Sequence, residues 1–141
     1  MSGFLLDTMV VSEGTKPRPN RKVAAWLEDQ PSDSCYLSAF TIGEIQYGIA
    51  RLTVDSSRRA ELTRWLREVL LVEFRDRIVP FDLDASLVWG EIVAEAGSRG
   101  ATLPTIDAQI AACARAHGLT LVTRNARHFA GTGIELIDPW E

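Results

Sequence analysis

Three carboxylates in this chain stand where a parallel α/β protein would do chemistry. Asp7 closes the apolar run in FLLDTMVVSE, Glu44 falls in SAFTIGEIQYGI, and Asp107 falls in LPTIDAQIAACARAHG. Taken singly, each has a purely structural role open to it. Asp7 could cap a turn at Thr8, while Glu44 and Asp107 could offset helix dipoles as first-turn anions, worth ~0.3–1 kcal/mol each. Taken together they suit another role. Three anions on one rim repel each other unless a cation joins them. Carboxylate oxygens, in a chain with 2 histidines, suit a hard ion such as Mg²⁺ or Mn²⁺ better than zinc or copper.

Such an ion makes a nucleophile of a bound water by lowering its pKa, and it offsets charge on phosphate oxygens during in-line displacement. Competing chemistries lack their parts. Ser12, Ser38 and Cys35 have no basic partner close by in the sequence, although distant residues could still meet in space. No GxxxxGK[ST] loop or GxGxxG follows any strand-like run. His117, at a helix end, is expected to interact with the helix dipole.

These residues need elements to position them. Phe4 to Leu6 reads as a short buried strand, Val23 to Leu27 as helix, and Cys35 to Leu37 as strand. A helix is expected from about Thr41 to Leu52. Residues 56 to 74 space Leu62, Trp65, Leu66, Val69 and Leu70 as one apolar face with arginines opposite. Ile78 to Phe81 is strand-like. Asp84 to about Ser98 reads as a helix ending at Gly100, and Pro104 to His117 as a helix stopped by Gly118. Leu119 to Thr123 is a further strand, with another at Ile134 to Ile137. Helix-separated strands favour a mostly parallel sheet covered on both faces, in one α/β domain over residues 1–141. In such sheets ligands gather beyond the carboxyl ends of the strands, where strand order reverses. Asp7, the first turns carrying Glu44 and Asp107, and the stretch LVTRNARHF would all lie on that rim.

The bulk properties narrow the setting. At 141 residues, 46% hydrophobic and 24% charged, the chain is ordinary for a globular protein. No apolar run approaches the ~20 residues that cross a bilayer, no signal peptide is evident, and Cys35 and Cys113 are too sparse for a disulfide framework or zinc knuckle. A cytoplasmic protein with no membrane association is expected. The net charge of −4 argues against coating nucleic acid by bulk attraction. Basic residues nevertheless cluster at Lys16, Arg18, Arg21 and Lys22, at Arg51, Arg58, Arg59, Arg64 and Arg67, and at Arg124, Arg127 and His128. Solvated faces account for the first two. Trp26, Trp65, Trp89 and Trp140 are expected to pack rather than stack on bases.

The ordered set Asp7 in FLLDTMVVSE, Glu44 in FTIGEIQYGI, Asp107 in LPTIDAQIAACARAHGLTLVTRN and the tail TRNARHFAGTGIELIDPWE resembles the PIN domain. Within that group it is most similar to the VapC-type (FitB-like) toxins of bacterial toxin–antitoxin pairs, over nearly the whole chain. The resemblance implies a three-layer α/β/α sandwich with metal-dependent endoribonuclease activity. It also implies a cognate VapB-type antitoxin and a homodimer with two clefts side by side. By the family pattern Asp7, Glu44 and Asp107 would ligate Mg²⁺ or Mn²⁺, Asn125 would be the more variable fourth catalytic residue, and Thr8 and Thr123 would orient the acids. Arg124 and Arg127, flanking that rim, would hold RNA phosphates. The antitoxin would lay an amphipathic segment in an apolar groove between the early helices and present a basic residue near the metal.

The chain departs from the pattern twice. Met9 stands where the family usually has asparagine, and a thioether is a poor hydrogen-bond acceptor. Asn125 and His128 stand where a fourth acid is expected, which predicts weaker retention of a second metal. These departures motivate an alternative, an attenuated PIN-like domain that binds RNA or antitoxin without cutting. Dehalogenase-like and receiver phosphotransfer domains also place Asp at a strand end. The first needs a second Asp where Met9 stands, and the second lacks its acidic pair here.

Overall fold

Residues 3–141 are described by a computed structural model of the chain. The central strand β1 (Phe4–Leu6) alternates its side chains across the sheet: Leu5 packs on one face, Phe4 and Leu6 on the other. Around it β2 (Cys35–Ser38), β3 (Ile78–Val79), β4 (Thr120–Val122) and β5 (Leu136–Ile137) complete a sheet ordered β3-β2-β1-β4-β5. Every pairing is parallel, with Leu6 level with Leu37 on one side and Val122 on the other. Strand order therefore reverses between β1 and β4, which opens the crevice beyond their carboxyl ends.

Both faces are covered. On the Leu5 face lie α6 (Leu83–Ser98) and α7 (Thr105–Ala116), bringing Ile92 and Ile110 onto Leu121. On the Leu6 face lie α1 (Thr8–Glu13), α2 (Arg21–Asp29) and α3 (Ala39–Ala50), with Val10, Val23, Ile45 and Ile49 packed on Leu37 and Val122. Burying each such aliphatic side chain contributes ~1.5–3 kcal/mol. The α/β/α sandwich expected from the sequence is the one observed.

The helices begin where the chain supplies caps. Asn20 accepts from the Lys22 and Val23 amides, Ser38 from Phe40, Ser56 from Arg59 at the start of α4 (Ser57–Arg64), and Asp82 from Ala85. Gly118 (φ 66°) turns the chain out of α7 through the left-handed region, directly into β4.

Two local readings change, and two helical segments join the elements read from the sequence. Residues 8–13 are helical, because Asp7 caps them and the apolar run after it buries Val10 and Val11 on a helical face. The segment 56–74 is not one regular helix. α4 gives way to a π-helical stretch, Trp65–Leu70, and then to α5 (Leu71–Glu73). The widened turn keeps Leu66 and Leu70 buried while leaving Val69 exposed, contrary to its expected apolar-face position. β3 stops at Val79 because Pro80 cannot donate a ladder hydrogen bond. Past β4, residues Ala126–Phe129 form a 3₁₀ turn that buries Phe129. Among the described residues no helix is long and apolar enough to cross a membrane.

Candidate functional site: three acids and their threonines

Asp7 follows β1 and is 6% exposed. Its carboxylate is held at both oxygens. Oδ1 accepts the Thr8 amide at 2.8 Å, and Oδ2 accepts the Thr123 hydroxyl at 2.7 Å. Thr123, fully buried just past β4, in turn accepts the Asn125 backbone N–H at 3.1 Å. Its single proton is therefore free for Asp7. The crevice where strand order reverses is thus bridged by one charge-assisted hydrogen bond from β4's end to β1's.

Glu44 reaches the same rim from α3. Ser38 fixes the start of that helix, and Thr41 and Glu44, three residues apart, share one face. Glu44 Oε1 accepts the Thr8 hydroxyl at 2.6 Å, and Thr8 Oγ1 lies 3.1 Å from Thr41 Oγ1. Thr8 consequently touches the system twice, its amide on Asp7 and its hydroxyl on Glu44. Thr8 and Thr123, which the resemblance implies orient the acids, are each hydrogen-bonded to one. Thr41, which has no part in the sequence-based site, is a missed member. Its signal was its place three residues ahead of Glu44 in TIGE.

Asp107 lies in the first turn of α7, after a proline that offers no side-chain cap. Burial first, and then the negative charge of Asp7, push its carboxyl above the ordinary aspartate range; the His128 charge opposes them. Asp7 and Asp107 therefore feel each other across the crevice. The sequence reading places all three acids in one shared pocket. Among the described residues, no three His, Cys, Asp or Glu side chains close into a ready ligand cage. Glu44 is engaged instead by the Thr8 hydroxyl. The donor set consists of oxygens, and the Asp7 charge already raises the cost of ionising Asp107. Both features fit a hard divalent cation.

The two departures from the family pattern touch each other. Asn125 Nδ2 donates to Met9 Sδ at 3.5 Å, and Met9 is 39% exposed on the rim. Next to them, Arg124 is exposed and lies over the Trp140 ring, 5.1 Å from its centroid. Arg127 and His128 are exposed on the 3₁₀ turn. The other basic clusters do structural work in part: Lys16 pairs with buried Glu13 at 2.9 Å, Arg58 reaches the Thr15 carbonyl, and Arg59 reaches that of Leu52. Glu13 is held below the usual carboxylate range by Lys16 first, then by the Asn20 amide, with Arg124 adding a smaller share. His117 caps α7 but faces a specific carboxylate, Asp82, at 3.6 Å, beyond hydrogen-bond length. The tryptophans pack as expected, Trp26 edge-on to Phe4 at 5.0 Å and the others against the two core clusters.

Glu44 stands between two grooves. One, of about 560 Å³, is apolar and lined by Phe40, Gly43, Tyr47, Phe81 and Ile106. The other, of about 300 Å³, runs between α1, α3 and α4 past Thr8, Gly48, Leu52, Arg58 and Trp65.

Known proteins share this fold and sequence. Residues 4–134 match the model of the PIN domain family. The chain is 38% identical to VapC ribonuclease Y4jK of Sinorhizobium fredii over 98% of each chain. It is 35% identical to toxin FitB of Neisseria gonorrhoeae, covering 97% of this chain and 98% of that one. The crystal structure of FitAcB from Neisseria gonorrhoeae superposes with a TM-score of 0.92 at 35% identity, over 98% of this chain and 99% of that one.

Proposed function

This chain belongs to the PIN domain family, and on that premise we propose that it is a metal-dependent endoribonuclease, the toxin of a toxin–antitoxin pair. Relatives named as ribonuclease and toxin over nearly their full length support the class. The observation that carries the chemistry is the meeting of β1, α3 and β4 at one rim through Thr123–Asp7 and Thr8–Glu44, with Asp107 in the field of Asp7.

In this reading Asp7, Glu44 and Asp107 hold Mg²⁺ or Mn²⁺. The ion, when bound, lowers the pKa of a water and offsets charge on the phosphate. The protein's part is orientation. Asp7 is fixed by two donors and Glu44 by one, so their oxygens need little reordering as the reaction proceeds. Arg124 and Arg127 engage phosphates of a single RNA strand, and Asn125 lends a polar side chain beside them. Water's oxygen bonds to phosphorus as the bond to the leaving oxygen breaks; the water gives up one proton, and the leaving oxygen takes up one, so that water's OH and H are shared between the two products.

The cognate antitoxin, of VapB type, occupies the groove between α1, α3 and α4, with a basic residue directed to Glu44. A homodimer follows the family pattern.

Cleavage of RNA by the purified chain with Mg²⁺ or Mn²⁺ tests the reading, set beside Asp7→Ala and Met9→Asn. Cleavage that is lost in Asp7→Ala is the expected result; equal cleavage by Asp7→Ala overturns it. The Met9–Asn125 contact favours a second reading, an attenuated domain that binds RNA or antitoxin without cutting. No cleavage by either the parent or Met9→Asn would establish that one.

A further inference from the structure

The two acids nearest the strand ends are each held by a threonine, but the threonines are backed differently. Behind Thr123 stands a backbone N–H, which can only donate. Behind Thr8 stands another hydroxyl, that of Thr41, wholly buried on α3. A hydroxyl has one proton. Thr8 is 2.6 Å from the Glu44 carboxylate, a short charge-assisted contact that takes its proton. Thr8 has no second proton to give Thr41 across their 3.1 Å contact, so there the Thr41 hydroxyl donates and Thr8 accepts.

We propose that Thr41 is a positioning residue for the metal site, acting through a hydroxyl relay Thr41→Thr8→Glu44 whose direction is set by the Glu44 carboxylate, which takes the one Thr8 proton. The inference rests on the metal-dependent reading above and deepens it. Without the Thr41 proton, the Thr8 rotor has a competing acceptor, the Thr41 oxygen, or no neighbour at all. With it, that oxygen is occupied as a donor and the Thr8 proton points to Glu44. Successive donors also polarise one another, which strengthens the bond to the carboxylate. The relay joins two elements: Thr41 and Glu44 belong to the same helix, while Thr8 comes from α1 and carries Asp7 on its amide. Thr41 thereby sets the position of Glu44 relative to Asp7, the spacing a shared ion needs.

The test is Mn²⁺ binding by the full chain, followed by calorimetry and by electron paramagnetic resonance of free Mn²⁺, for the parent, Thr41→Val, Thr41→Ser and Asp7→Ala. Thermal midpoints recorded in chelator report packing alone. Thr41→Val keeps the buried volume and removes the proton; its Mn²⁺ dissociation constant should rise about three- to tenfold, the span of one net hydrogen bond. Thr41→Ser should restore it, and the ranking should not follow the thermal midpoints. Parent-like affinity in Thr41→Val, or failure of Thr41→Ser to restore a loss, overturns the relay while leaving the metal site standing. Absence of Mn²⁺ binding by the parent, or equal binding by Asp7→Ala, overturns the metal reading and the relay with it.

Discussion

The Thr123 hydroxyl donates to Asp7 Oδ2 at 2.7 Å across a sequence separation of 116 residues, and both side chains are buried. Beside the backbone bond from the Asp7 N–H to the Val122 carbonyl, this side-chain hydrogen bond ties the first strand's end to the fourth's at the point where strand order reverses. Removing it in Thr123→Val should leave the fold intact and weaken metal-supported RNA cleavage by about 10–100-fold, the usual scale for a residue that orients a metal ligand. Cleavage rates at several Mn²⁺ concentrations will show whether the loss is partly recovered as the ion is raised, as expected for weakened retention. A loss indifferent to Mn²⁺ would count against an orienting role.

Asp107 should trade stability for function. Burial and the Asp7 charge hold its carboxyl above the ordinary aspartate range, so the folded chain binds that proton more readily than the unfolded chain. Ionised Asp107 therefore costs stability, a cost absent below the ordinary aspartate pKa and complete once pH has risen past the raised value. Asp107→Asn should abolish cleavage and raise the thermal midpoint in chelator at neutral pH by about 1–3 °C. That gain should fade on acidification. A midpoint that falls at neutral pH would contradict the repulsion argument.

Met9 offers Asn125 only a sulfur. In Met9→Asn a stronger acceptor takes its place, and one net hydrogen bond at the rim should raise kcat/KM for RNA by about three- to tenfold. Steady-state cleavage kinetics decide it. An unchanged value would mean that the thioether contact does not limit the site.

Cys113 tests burial independently of the site. It is fully buried, and desolvation first, with Asp82 nearby, pushes its thiol up to about 11. Cys35 is also buried, and its thiol is raised. Neither should react with iodoacetamide at pH 8 in the folded chain, while both should react in denaturant. Mass spectrometry of the alkylated protein reads the result directly, and rapid native labelling of Cys113 would contradict the packing of α7 on the sheet.

The strands and the acid-bearing helices were legible because their signals are local. FLLD announces a buried strand with an acid at its end, and Gly100 and Gly118 mark the stops of α6 and α7. What escaped was set by tertiary contact. The apolar residues after Asp7 fit a strand's continuation or a helix equally well until Asp7 is seen capping α1. The π-helical turn at Trp65–Leu70 preserves a buried pair, Leu66 and Leu70, that regular helical spacing accommodates without any irregularity. Thr41 reads as a helix-facing polar residue until Thr8 arrives from another element. Likewise Met9 and Asn125 were two separate departures in sequence, and only the fold makes them one contact.

Metal-dependent cleavage requires that Asp7, Glu44 and Asp107 share one ion. The most direct measurement is the crystal structure of the chain with Mn²⁺, located by its anomalous signal. The expected result is a Mn²⁺ peak at the carboxyl ends of β1 and β4, with an oxygen of each of the three carboxylates within about 2.0–2.2 Å or joined through one ordered water. Mn²⁺ bound elsewhere, or held by only one of the three, would contradict it.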